Sequence, residues 1–168
     1  MKIQVPLFKQ TDSLSCGPTA LRMILAYFGH DVSEDQIIKN LGGIKKYGVR
    51  TISLREYASN LGFKTTCFSF NKKLSKGRAI IKKPKKTDIL KFIKKGVPVI
   101  VAVKASILHD KEKSKLGHFI VITAFESGVF YFNDPRDGKE HKITEDEFLF
   151  AWHNNILDSS AYLLAVYK

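Results

Sequence analysis

The chain has 168 residues, 44% hydrophobic and 26% charged, with a net charge of +12. That length fits one globular domain spanning residues 1–168, and the composition excludes wholesale disorder. No run of eighteen apolar residues and no secretory leader occur. With Cys16 and Cys67 the only cysteines, a disulfide framework is excluded too, so a cytoplasmic protein is expected.

In chain order, the first predicted helix runs from Gly17 to Phe28, with apolar Ala20, Leu21, Ile24, Leu25 and Phe28 at helical spacing. Pro18 suits its first turn and Gly29 its end. Ser33-x-x-Gln36 reads as a capping box opening a second helix that stops at Gly42-Gly43. Ser53-x-x-Glu56 is expected to open a third, closed by Gly62. Residues 63–70 are extended. Between Lys72 and Lys95 stand eleven lysines and arginines, with Asp88 the only acid. This stretch lacks interleaved aromatics and any nucleic-acid motif, so it reads as a solvated face making weak contact with anionic surfaces, and no specific nucleic acid is expected.

A short amphipathic helix follows over 87–95, then a buried strand over 97–103 and a polar loop over 104–117. Strands 119–125 and 129–132 are joined by Glu126-Ser127-Gly128, a hairpin signal. Thr144-x-x-Glu147 opens a last helix through Trp152, and 161–167 closes the chain as a strand. Helices dominate the first half and strands the second, which predicts an α+β protein with an antiparallel sheet.

Chemistry points to Cys16. It stands at the start of the first helix, where unpaired N–H groups and the helix dipole favour a thiolate, and Gly17 leaves room for a substrate. A thiolate nucleophile needs a partner that takes and returns a proton. Of the five histidines, His118 opens an otherwise apolar strand. A turn centred at residue 127 sets position 118 opposite 136 and diagonal to 134, within side-chain reach. Asp134 there can orient the imidazole. Taken singly, His118 reads as a strand-edge histidine and Asp134 as an Asp-Pro turn; their coincidence with Cys16 favours a site. His30, His109, His141 and His153 read as helix-end or surface groups, His109 within a charged loop. Gln10, six residues before Cys16, can join the cysteine's own N–H as an oxyanion donor. Neither the cysteine spacing nor the glycine pattern indicates a metal or cofactor, and none is expected.

The segment from Gln10 through Cys16-Gly17-Pro18 to Leu21 resembles the active-site stretch of the bacteriocin-processing cysteine peptidases, which cleave leader peptides after a double glycine. Gly117-His118-Phe119-Ile120-Val121 and Asn133-Asp134-Pro135 resemble that family's histidine and aspartate motifs, in the same order, and the likeness covers about residues 4–152. It implies a papain-like cysteine peptidase fold, with an N-terminal helical half carrying the cysteine and a C-terminal antiparallel sheet carrying the other two. It further implies Cys16 as nucleophile, His118 as general base and acid, Asp134 as orienting residue, Gln10 as oxyanion donor, and a peptide or protein, such as a leader or precursor peptide, as substrate. Ser15 stands where the family commonly has an acid. The length leaves no room for transporter parts, so a free-standing peptidase is expected, without the transport coupling or the double-glycine specificity. Acyl transfer by the same residues, or a non-catalytic peptide-binding domain on the same scaffold, are the alternatives.

Overall fold

The computed structural model describes residues 1–109 and 115–168. Three helices come first: α1 (Cys16–Tyr27), α2 (Glu34–Asn40) and α3 (Thr51–Asn60). They are followed by β1 (Lys64–Ser69), α4 (Lys72–Ser75), β2 (Ile80–Ile81) and α5 (Lys86–Ile93). The second half holds β3 (Val99–Lys104), α6 (Ala105–Leu108), β4 (Gly117–Glu126), β5 (Val129–Asp134), β6 (Lys139–Thr144), α7 (Glu145–His153) and β7 (Leu163–Tyr167). One sheet takes all seven strands in the order β2-β1-β7-β3-β4-β5-β6, antiparallel except for the β1–β2 pair. The helices-then-strands expectation therefore holds with one amendment: β1 and β2, from the first half, extend the same sheet beyond β7.

The central strands explain the layering. β3 and β4 are near-continuous apolar runs, buried along almost their whole length, which requires cover on both faces. α1 and α5 pack on β4, α7 on β3, and α3 on β1 and β7. β6 alternates exposed and half-buried residues and forms an edge; its Lys-Glu-His-Lys-Ile-Thr sequence has too little apolar content to announce a strand. An aromatic chain ties the far side together: Phe130 lies 4.3 Å from Phe148, which stacks on Trp152, whose indole N–H donates to Tyr162 O at 2.9 Å. Burying these rings while giving the indole its acceptor fixes α7 against β5 and the entry to β7.

Two capping boxes form as read, at Ser33 with Gln36 and at Thr144 with Glu147. The expected box at Ser53 does not. α3 starts three residues earlier, with Arg50 as its N-cap, because Thr51 is buried and its hydroxyl donates to Ala161 O at 2.8 Å, a long-range bond that outweighs a local cap. The predicted loop 104–117 begins instead with the single turn α6; its residues 110–114 lie outside the described residues. In the lysine-rich stretch, Lys82 and Lys91 face Asp88, Lys86 pairs with Glu145 and Arg78 with Glu56, so part of the positive charge is neutralised within the fold. No helix among the described residues is long and apolar enough to cross a membrane.

Candidate active site

Cys16 is the first residue of α1, delivered by a tightly organised approach. Leu14 N–H donates to Asp12 Oδ1 at 2.8 Å, and the buried Ser15 hydroxyl accepts from Asp12 N–H and donates to Asp12 O. Thr11 donates from both its N–H and its hydroxyl to the buried carboxylate of Glu34. No side chain caps α1, so the N–H groups of Cys16 and Gly17 are not taken by a capping oxygen. Ser15, standing in place of an acid, spends its hydroxyl on this turn. Gly17 has a different role from the one expected. A Cβ there would meet the Phe119 ring at 3.2 Å and Leu54 at 3.4 Å, so the glycine admits the close approach of α1 to β4 rather than a substrate.

His118 enters from β4 and Asp134 from the end of β5. The hairpin register carries an irregularity that decides whether they meet. The turn is Ser127-Gly128, both at positive φ, pairing Glu126 with Val129 and Ala124 with Tyr131. Continued unbroken, that register would face residue 118 with 137 and put 134 on the opposite face. Thr123 instead forms a bulge, so Ile122 pairs with Phe132 and Val121 with Asn133. The slip of one residue sets 118 opposite 136 and returns His118 and Asp134 to one face. The carbonyl of Thr123 is satisfied by Ile3 N–H at 3.0 Å, so the N-terminal segment holds the bulge. The same segment is fixed to the β5 end twice more, by Asn133 Nδ2 donating to Val5 O at 3.1 Å and Gln10 N–H donating to Pro135 O at 2.7 Å.

His118 Nε2 lies 2.6 Å from Asp134 Oδ1, and Cys16 lines the same cavity close enough to the imidazole to favour its charged form. With Nε2 turned to the carboxylate, Nδ1 is left for the sulfur. Burial opposes charge on His118, but the hydrogen bonds to Asp134 and Cys16, with their charges, prevail and raise it to about 10. Burial likewise opposes ionisation of Asp134. Its hydrogen bonds with His109 and His118 and the Arg136 N–H win, holding the carboxyl well below its usual range. Cys67 is different: desolvation in the core pushes its thiol up to about 12. The structure thus brings Cys16, His118 and Asp134 together.

Gln10 lines the same cavity, of about 460 Å³, with Cys16, His109, His118 and Arg136. Its Nε2 donates to Asp12 O at 2.9 Å, which uses one of two amide hydrogens and orients the group. A second hollow of about 250 Å³ continues the cleft past Tyr47, Leu116 and Phe119 toward Arg50 and Asp158. His109, expected in a charged loop, lies at this site as well. Its Nε2 stands 2.8 Å from Asp134 Oδ2, and its ring meets that of His118 edge-on at 5.2 Å. No periodicity or motif marks it; only the turn of α6 brings it in. His109, His118 and Asp134 have ligand atoms within 4.8 Å of one another, the donor set of a metal site. Both Nε2 atoms, however, already oppose carboxylate oxygens at hydrogen-bond distance, so a proton on each nitrogen accounts for the geometry.

Comparison with known proteins follows from this geometry. Residues 2–156 match the model of the Peptidase_C39 like family. No curated protein matches the chain. Among solved structures, a protein described as a C39-like peptidase from Bacillus anthracis is similar over 100% of this chain and 98% of its own, at 18% identity and a TM-score of 0.74. A double glycine motif protease from an AMS/PCAT transporter, solved in complex with the leader peptide, is similar over 98% and 92% of the two chains (22% identity, TM-score 0.60). The peptidase domain of Streptococcus ComA, a bi-functional ABC transporter of a quorum-sensing pathway, covers 98% and 97% (19% identity, TM-score 0.59). The shared fold is the papain-like α+β arrangement.

Proposed function

The chain belongs to the Peptidase_C39 like family and is a cysteine peptidase, and on that premise we propose that it hydrolyses a bond in a leader or precursor peptide through Cys16, His118 and Asp134. One observation carries the assignment: a thiol at a helix N-terminus shares a cavity with an imidazole whose Nε2 is 2.6 Å from a buried carboxylate. The Cys16 sulfur attacks the scissile carbonyl carbon while His118 holds the thiol proton. The carbonyl electron pair moves to oxygen, where Cys16 N–H and the free hydrogen of Gln10 Nε2 receive it. As the C–N bond breaks, His118 passes the proton to the leaving amine, and an acyl-thioester remains on Cys16. Water then gives a proton to His118 and attacks the thioester; the carboxylate product leaves and the sulfur recovers its proton.

The cleft past Tyr47 and Leu116 offers an extended path for a peptide, and the peptide complex of the double glycine motif protease supports a leader-type substrate. The whole chain acts in this reading as one peptidase domain, with the motifs in about residues 4–152. Two unpaired cysteines fit a reducing compartment, and the cytoplasm is where we place the protein. Incubation with a defined pool of precursor-like peptides and mass spectrometry of the products tests the assignment. Cleavage by the parent protein, lost in Cys16→Ala and His118→Ala, is the expected result; cleavage that persists in Cys16→Ala refutes it.

A further inference from the structure

Asp134 closes β5 with a carboxylate that is 3% exposed and has both oxygens engaged. Oδ1 receives His118 Nε2 and, at 2.9 Å, the backbone N–H of Arg136. Oδ2 receives His109 Nε2 at 2.8 Å. The Cys16, His118, Asp134 and Gln10 roles need only the first oxygen, so the second histidine is unexplained by them. Its delivery is rigid. β3 runs beside β4 with Val103 paired to His118, α6 makes one turn from its end, and His109 N–H closes that turn on Ala105 O at 2.9 Å. The ring then forms part of the wall between the Cys16 cavity and a second cavity of about 670 Å³ behind Asp134.

We propose that His109 is a positioning residue for this peptidase: its Nε2–H, given to Asp134 Oδ2, holds the carboxylate turned toward His118, and its ring, edge-on to His118, limits the swing of the imidazole. The inference rests on the proposed triad and extends it. A buried carboxylate with one oxygen unpaired would rotate or recruit water through the second cavity, and each departure weakens the charge that keeps His118 protonated beside the sulfur. What is required is a hydrogen-bond donor at the Nε2 position, not a second positive charge. Among the described residues, the charged groups around His109 are Asp134 and Arg136, His118 and, through it, Cys16. Asp137, His141, Lys142 and Glu147 share the second cavity, where His141 is 2.8 Å from Asp137.

Three substitutions separate the contributions. His109→Gln keeps a donor at similar reach, His109→Phe keeps a ring without a donor, and His109→Ala removes both. The readout is the rate of Cys16 alkylation by iodoacetamide at pH 6 and pH 9, which needs no peptide substrate, followed by kcat and KM on a cleaved peptide. In His109→Ala and His109→Phe the pH 6 rate falls about tenfold while the pH 9 rate stays within twofold, since what is lost is the support for a charged His118 beside the sulfur. Their kcat falls about tenfold with KM unchanged, whereas His109→Gln stays within about threefold of the parent in both assays. An unchanged pH 6 rate in His109→Ala, or a fall in His109→Gln equal to that in His109→Ala, overturns the proposal and leaves the triad standing. A parent protein whose Cys16 alkylates at pH 6 no faster than an unpaired thiol overturns the triad reading and the role of His109 with it. Matching circular dichroism and the shared pH 9 rate exclude misfolding as the cause of a loss.

Discussion

The two cysteines provide an internal comparison for the proposed nucleophile. Cys67 is 3% exposed on β1, and burial raises its thiol to about 12. At pH 7.5 about three molecules in 10⁵ then carry a Cys67 thiolate, against about one in ten for an ordinary cysteine near pKa 8.5. Ionisation alone therefore slows Cys67 about 3,000-fold relative to an ordinary thiol, before its inaccessibility adds more. Cys16 opens on a cavity that His118 also lines, so it reacts at least as fast as an ordinary thiol. The expected ratio of native alkylation rates, Cys16 over Cys67, is at least about 10³. Timed iodoacetamide labelling at pH 7.5, quenching, digestion and mass spectrometry of the two cysteine peptides measures it, with urea-unfolded protein as the control in which both react. A Cys67 rate within tenfold of that of Cys16 in the folded protein refutes the reasoning, because the environments on which the assignment depends would then be indistinguishable.

Three further outcomes are expected. Ile3→Pro removes the N–H that satisfies Thr123 O, so Thr123 is drawn into pairing with Phe132, 118 moves opposite 137 and His118 parts from Asp134; peptide cleavage falls about 10³-fold or more while far-UV circular dichroism retains the sheet, and a fully active variant contradicts the register argument. Because the neighbours of His118 raise it to about 10, kcat/KM holds through pH 7–8 and declines as the pH approaches about 10. The stabilisation from its protonation has the same sign: fully present below the ordinary value near 6.5 and lost as pH rises through about 10, a trend that urea midpoints at several pH values measure. Gly138 has φ +68, and a Cβ there would stand 2.9 Å from Lys9 N; Gly138→Ala costs about 1–3 kcal/mol in urea unfolding and lowers kcat by shifting the neighbouring Gln10. Gly128→Ala, equally left-handed but with open space around it, costs the strain alone and leaves kcat unchanged.

Much of the site was legible because its local parts carry their own signals. Gly17-Pro18 after Cys16 marks a helix start whatever surrounds it, and α1 begins at Cys16 as that reading requires. Ser33 and Thr144 with their partners three residues on form the caps their spacing predicts, since a capping box closes within one turn. A turn centred at residue 127 and the observed hairpin agree on 118 opposite 136 because two departures cancel. The turn is centred half a residue later, between Ser127 and Gly128, and the bulge at Thr123 takes one residue back.

Sequence alone determined the class of the fold, the helix tip bearing the cysteine, and the order of Gln10, Cys16, His118 and Asp134, all matters of spacing, capping and apolar period. Only tertiary structure decided the rest. Ile3 N–H reaching Thr123 O holds a bulge that no local pattern announces, and Ala161 O draws α3 back to Thr51. The turn of α6 carries His109 to the unused oxygen of Asp134. In each case the deciding partner lies far along the chain, and a hydrogen bond across that separation leaves no periodicity for a linear reading to detect.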